Sequence, residues 1–219
     1  MRIRNIGQVS FATTHQKMLG LQKKLGQLPH DVATSEITET LFLFEPSPVV
    51  TLGSGAKSDD ILIGNDSLNQ RGIEILGVDR GGEATYHGPG QLIAYPVLKL
   101  RQHERDLHHL LRVLETAVLE TLEHWGIKGK RDVNHTGVWV DGYKIASIGL
   151  SVRRWVTGHG LALYIAGDLE PFDWIVPCGI QDCPITSMEQ LLGRSIARDQ
   201  VEVFLSERIV SLFGRKALR

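Results

Sequence analysis

Apolar residues recur at helical spacing in three long stretches and gather at strand-like density in several shorter ones. Across residues 10–28 the apolar positions are Phe11, Met18, Leu21, Leu25 and Leu28, a period that Pro29 terminates. Gly20 and Gly26 weaken its later turns. The clearest amphipathic run is 106–125, where Leu107, Leu110, Leu111, Leu114, Val118, Leu122 and Trp125 share one face and Gly126 marks the stop. A last helix is predicted over 199–213, burying Val201, Phe204, Leu205, Ile209 and Leu212. A short one is predicted over 187–192, with Ser187 and Gln190 spaced for a capping box. Segments 41–44 and 48–52 read as strands around a turn. So do 92–98, 137–140, 143–150 and 161–165, all rich in β-branched or aromatic residues. Asp141-Gly142 between two of them predicts a type I′ hairpin. With no repeat, low-complexity tract or linker, a single α+β domain over 1–219 is expected.

Composition sharpens this modestly. The chain has 219 residues, 42% hydrophobic and 22% charged, with a net charge of −1, so no global field points to nucleic acid or a membrane surface as partner. No apolar run approaches the ~18 residues a membrane span needs. The stretch MRIRNIGQVSFATTHQ has no apolar secretory core, and two cysteines make no disulfide framework. A cytoplasmic protein is expected.

Four segments offer chemistry. Arg80 to Gln91 holds four glycines and a proline, a density that lets backbone approach a ligand or simply builds a tight turn. Within it Arg80 can meet a carboxylate or phosphate and His87 can exchange a proton. The run lacks the Gly-Lys-Ser/Thr ending of a nucleotide-phosphate loop. Lys144 enters an apolar strand just after the Asp-Gly turn. It either snorkels to solvent or is drawn inward to become a proton shuttle. His159, between Gly158 and Gly160, is catalytic or caps a loop. Cys178, between Pro177 and Gly179, sits on stiff yet accessible backbone, which suits a nucleophile better than a packing role. Cys183 follows five residues on. Without a matching His or Cys pair the two sulfurs fall short of a zinc ligand set, so neither metal nor cofactor is expected, and a disulfide between them is not required.

Together these segments resemble the octanoyltransferases of lipoate biosynthesis. The run RGGEATYHGPGQLIAYP is similar to that family's signature. GVWV-x-x-x-KIASIG, HG-x-AL, PCGI and TS follow in the family's order, across about two-thirds of the chain. The resemblance implies a fold shared with biotin and lipoate protein ligases, a mixed and largely antiparallel sheet flanked by helices. It implies Cys178 as the acyl-thioester nucleophile and Lys144 as its catalytic partner. It implies an acyl site lined by Arg80, Gly81, Gly82, Glu83, Ala84, Thr85, Tyr86, His87, Ser147, Ile148, Gly149, Gly160, Leu161 and Ala162. The implied donor is octanoyl-acyl carrier protein, and the implied acceptors are lipoyl domains of 2-oxoacid dehydrogenases and the glycine cleavage H protein. Two positions depart from the family: Glu45-Pro46-Ser47-Pro48 replaces Glu-His-x-Pro, and Ala162-Leu163-Tyr164 replaces Ala-Leu-Asn. Tyr164, bulkier than asparagine, bears on pocket shape or acceptor docking.

The residue types suit such a transfer. A free thiol is only a few per cent thiolate at pH 7, so a neighbouring ammonium must stabilise the anion or a neutral lysine must take the proton. Backbone N–H groups near Cys178 and the glycine-rich loop are the expected oxyanion donors. His87 and His159 are secondary candidates for orientation or relay. Lys128, Lys130, Arg131, Arg153 and Arg154 offer a basic surface for acidic carrier and lipoyl domains. Three other readings stand beside this one: an ATP-dependent lipoate or biotin ligase of the same fold, an amidotransferase between lipoyl-bearing proteins, and a non-catalytic acyl-binding protein.

Overall fold

In the computed structural model, which describes residues 1–29 and 37–218, Leu41 to Phe44 are all buried, and they alternate between two apolar clusters. Leu41 and Leu43 belong to one cluster, Phe42 and Phe44 to the other, as a strand covered on both faces requires. Among the described residues the strands are β1 (Arg2–Val9), β2 (Thr40–Pro46), β3 (Val49–Leu52), β4 (Glu74–Gly77), β5 (Ala84–His87), β6 (Gln91–Val97), β7 (Val138–Val140), β8 (Tyr143–Arg153) and β9 (Val156–Tyr164). The α-helices are α1 (Phe11–Gln27), α2 (Asn65–Gln70), α3 (Leu107–His124), α4 (Met188–Leu192) and α5 (Arg198–Leu212).

Six strands form one sheet in the order β1-β2-β6-β9-β8-β7, antiparallel except for the β1–β2 pair. A smaller sheet, β4-β3-β5, pairs β3 parallel to β4 and antiparallel to β5. One face of the large sheet packs Leu41, Leu92, Leu161 and Leu163 against Leu114, Val118, Leu205 and Ile209 of α3 and α5. The other packs Phe42, Ile93, Tyr95 and Tyr164 against Phe11, Met18 and Leu25 of α1 and against Val50, Ala84 and Tyr86 of the small sheet. This is the mixed, largely antiparallel α+β arrangement the sequence implies.

Local signals hold where one residue type decides the conformation. Asp141 and Gly142 both have positive φ, 48° and 90°, as the type I′ turn between β7 and β8 demands. Asp106 caps α3 by accepting from His109 N at 3.1 Å. At α4 only half the expected capping box forms. Ser187 Oγ accepts from Gln190 N, while the Gln190 side chain accepts instead from Thr186 Oγ1 at 3.3 Å. The β8–β9 hairpin is longer than its sequence suggests, because Arg154 and Trp155 take positive φ, 51° and 59°, without glycine or asparagine to announce the turn. Phe204 and Leu212, expected in the core, are half-buried, and Val210 is buried instead. No helix among the described residues is long and apolar enough to cross a membrane.

Candidate active site

Cys178 sits in a single 3-10 turn, Pro177–Gly179, with φ 55° and ψ 29°, and Gly179 follows at φ 67°. Two successive residues in the left-handed region need firm support. Gly179 N donates to Val176 O, Ile180 N to Pro177 O, and Val176 N to Asp60 O. A Cβ on Gly179 would lie 3.1 Å from Glu83 Cδ, so a larger residue would have to nudge that side chain as well as accept the positive φ. The thiol is left half-buried at the end of this turn.

Lys144 approaches from β8. Its N–H donates to Pro184 O at 2.8 Å and its carbonyl accepts from Thr186 N at 3.0 Å, so the chain after Cys178 runs beside β8 as an extra strand-like edge. The side chain turns inward and is 1% exposed. Nζ lies 3.1 Å from Cys178 Sγ and 5.3 Å from the centre of the Trp139 ring. Of the two fates the sequence left open, the lysine is drawn inward. Ser147, three residues along β8, brings its hydroxyl to 3.9 Å from the same sulfur and bonds Tyr164 Oη on its other side.

The pair opens on a cavity of about 380 Å³. Of the residues implied by resemblance, Arg80, Gly81, Gly82, Glu83, Thr85 and His87 line it from the glycine-rich segment. Ser147, Ile148 and Gly149 line it from β8, and His159, Gly160, Leu161 and Ala162 from β9. Ala84 and Tyr86 do not line it. They alternate to the other side of β5 and join the core, where Tyr86 meets Phe172 edge-on at 5.5 Å. Burial pushes the Tyr86 phenol up to about 12. The cavity also takes Leu107 and Leu111 of α3, Asn134, His135 and Thr136 of the loop before β7, and Tyr95, Leu150 and Ile180. Leu107 and Leu111 read as core because their spacing is helical. Spacing cannot separate a leucine packed on a sheet from one facing an unfilled hollow.

Several polar groups act differently from expectation. Arg80 is engaged within the chain. Its guanidinium donates to Thr51 O and Oγ1, Glu83 O and Gly81 O at 2.9–3.1 Å, stitching the glycine-rich segment to β3. Burial lowers its proton affinity. His87 is fully enclosed, stacked on Phe11 at 5.3 Å with Nδ1 3.2 Å from Gln91 Oε1. Burial, helped by Arg80, pushes it down to about 3, so it is a neutral ring. His159 pairs with Asp79 at 2.9 Å, and burial lowers its pKa too. Burial pushes the Cys183 thiol up to about 11, which suits it poorly for attack. Tyr164 lies behind Ser147 rather than in the cavity, its ring 5.2 Å from Phe172. Arg131 and Arg153 of the predicted basic surface already pair with Glu115 and Asp79. Buried Glu115 also accepts from Gly137 N, anchoring the loop that carries Asn134 to Thr136.

The fold belongs to a defined class of protein: residues 19–210 match the lipoyl protein ligase A/B catalytic domain. The crystal structure of lipoate-protein ligase A bound with ATP has the same fold, with a TM-score of 0.74 at 15% identity over 100% of this chain and 90% of that one. Within that class the chain belongs to the octanoyltransferase family of acyltransferase enzymes. An octanoyltransferase of Geobacter metallireducens is 40% identical over 216 residues, 99% of this chain and 95% of the relative. One of Thermosynechococcus vestitus is 44% identical over 183 residues, 82% and 80% of the two chains.

Proposed function

We propose that this chain moves an octanoyl group from octanoyl-acyl carrier protein to a lysine of lipoyl domains, through a thioester on Cys178. The observation that carries this reading is the 3.1 Å separation of Lys144 Nζ and Cys178 Sγ on the wall of a cavity that Leu107, Leu111, Ile148, Leu150 and Leu161 also line. One proton can pass between two such groups without rearrangement. Cys178 sulfur attacks the donor carbonyl, its proton going to Lys144. The carrier sulfur leaves and takes that proton. The acceptor amine then attacks the acyl-enzyme, giving its proton back through Lys144 as the cysteine sulfur departs.

The exchange of a thioester for an amide runs downhill and consumes no ATP. Gly179 and Ile180 N–H groups are already spent on the turn. Charge on the acyl oxygen therefore falls to other donors at the mouth, with Lys144 Nζ and the Ser147 hydroxyl nearest the sulfur. Enclosing about seven methylenes at ~0.8 kcal/mol each sets an upper bound of several kcal/mol on acyl-chain binding. The acceptors in this reading are lipoyl domains of 2-oxoacid dehydrogenases and the glycine cleavage H protein, met in the cytoplasm.

Intact mass spectrometry tests it. Incubation with octanoyl-acyl carrier protein should add one octanoyl group, removable by neutral hydroxylamine and absent from Cys178→Ser. A hydroxylamine-labile adduct retained by Cys178→Ser would sink the thioester assignment.

A further inference from the structure

Beside the acyl cavity, three side chains from separate elements converge on one point. His15 comes from α1, Asp79 from the segment before Arg80, and His159 from β9; each offers an atom within 4.8 Å of the others. Asp79 Oδ1 is 2.9 Å from His159 Nε2 and 3.8 Å from His15 Nε2. We propose that this trio binds one divalent transition-metal ion of the zinc class, independently of the acyl chemistry.

The donors are right for such an ion. Two imidazoles and one carboxylate are a common three-ligand set for zinc, which leaves a fourth position for water. Bonds of ~2 Å in a tetrahedron hold ligand atoms roughly 3–3.5 Å apart, and the observed separations straddle that range. His15 is 7% exposed and its Nε2 has no hydrogen-bond partner, an uncompensated polar atom that a metal would satisfy. His159 is wholly buried and its Nδ1 also lacks a partner. With the ion bound at Nε2, the ring proton resides on Nδ1.

The charges are arranged to suit. An ion at this point would take the place of the proton now shared between His159 Nε2 and Asp79 Oδ1. Arg153 Nε sits 3.0 Å from Asp79 Oδ2, an outer partner that leaves Oδ1 turned toward the imidazoles. Access comes from a groove that shares no lining residue with the acyl cavity. His15 and Asp79 line an open groove of about 690 Å³, together with Lys57, Ser58 and Arg153. The two cations there oppose the ion's charge, so the imidazoles carry the binding. An occupied site would clamp α1 and the Asp79 segment to β9, whose His159 forms part of the acyl cavity wall.

The test is zinc titration against a chromogenic chelator, using the chain with Cys178→Ser and Cys183→Ser so that thiolates do not compete. One equivalent should bind, the thermal midpoint should rise with zinc, and His15→Gln should weaken binding at least ten-fold and abolish the rise. Asp79→Asn, isosteric with the native side chain, is the second variant should His15→Gln fail to fold. Failure to compete zinc from the chelator, or unchanged affinity in a folded variant, overturns the proposal.

Discussion

Gly137 leaves the space that the Lys144 side chain fills: a Cβ at residue 137 would lie 2.9 Å from Lys144 Cε and 2.6 Å from Ala146 O. Its φ of 132° is also one that other residues rarely adopt. Gly137→Ala should therefore push the amine off the sulfur. Displacement of a reacting group by ~1 Å costs on the order of 100-fold in rate. Single-turnover acylation should slow by ten-fold or more while the far-ultraviolet dichroism stays native. A wild-type acylation rate would refute this coupling.

Lys144→Met keeps the unbranched stem of the side chain, one atom shorter, and removes its proton chemistry. Acylation should fall by about 10²–10⁴, the usual contribution of a positioned acid–base group. Stability should hold or rise, because Lys144 is 1% exposed and its amine meets only the Cys178 sulfur and the Trp139 ring among the described residues, so a poorly compensated buried polar group is exchanged for an apolar one. Urea denaturation beside single-turnover kinetics checks both halves. A large stability loss would mean that the lysine serves mainly to hold the fold.

Tyr164 Oη meets the Ser147 hydroxyl, which lies 3.9 Å from the sulfur. Tyr164→Phe retains the ring against Phe172 and deletes the hydroxyl that meets Ser147. About 1 kcal/mol of stability should be lost. A few-fold drop in kcat should come with no change in KM for the donor, since Tyr164 does not line the cavity. A raised KM with unchanged kcat would instead assign Tyr164 to substrate binding.

Acid should weaken the fold before any carboxylate titrates. His87 is held down to about 3 in the folded chain, chiefly by burial, whereas an unfolded imidazole titrates near 6.5. Between those values the unfolded chain takes up a proton that the folded chain refuses. Stability therefore rises with pH through that window and falls on acidification, by at most ~1.4 kcal/mol per pH unit for this ring. His15 and His159, also lowered, act in the same direction. Asp79, depressed below 3.8, gives up its share only at lower pH. The urea midpoint should drop between pH 7 and pH 5, less steeply in His87→Asn. A flat profile would contradict the buried neutral ring.

Much of this was readable because single residues announce it. Pro177-Cys178-Gly179 and the Asp141-Gly142 turn before Lys144 are local signals, and the glycine-rich run carries the family resemblance in one piece. β1 escaped because its residues show no apolar face. It is an edge strand held by backbone pairing to β2, and pairing leaves no mark on composition. β5 was hidden inside the glycine-rich run, although all four of its residues are buried. Tyr95, Leu107, Leu111 and Ile180 reach the cavity from three separate stretches, and neither helical leucine carries a signal that sets it apart from core. His15 and Asp79 were unremarked for the same reason, since only folding brings them to His159.

The stretch between Val176 and Thr186 is fastened at both ends to different layers. Val176 N is bonded to Asp60 O, close to the turn that rests on β5 of the small sheet, and Thr186 N to Lys144 O at the large one. Sulfur and amine are therefore neighbours only while both layers are docked. A nascent or partly melted chain would carry an ordinary thiol and an ordinary lysine far apart, and so would not capture acyl groups indiscriminately. Reactivity of this kind is a property of the finished assembly, and loss of acyl uptake during gentle denaturation should report separation of the two sheets before helical signal is lost.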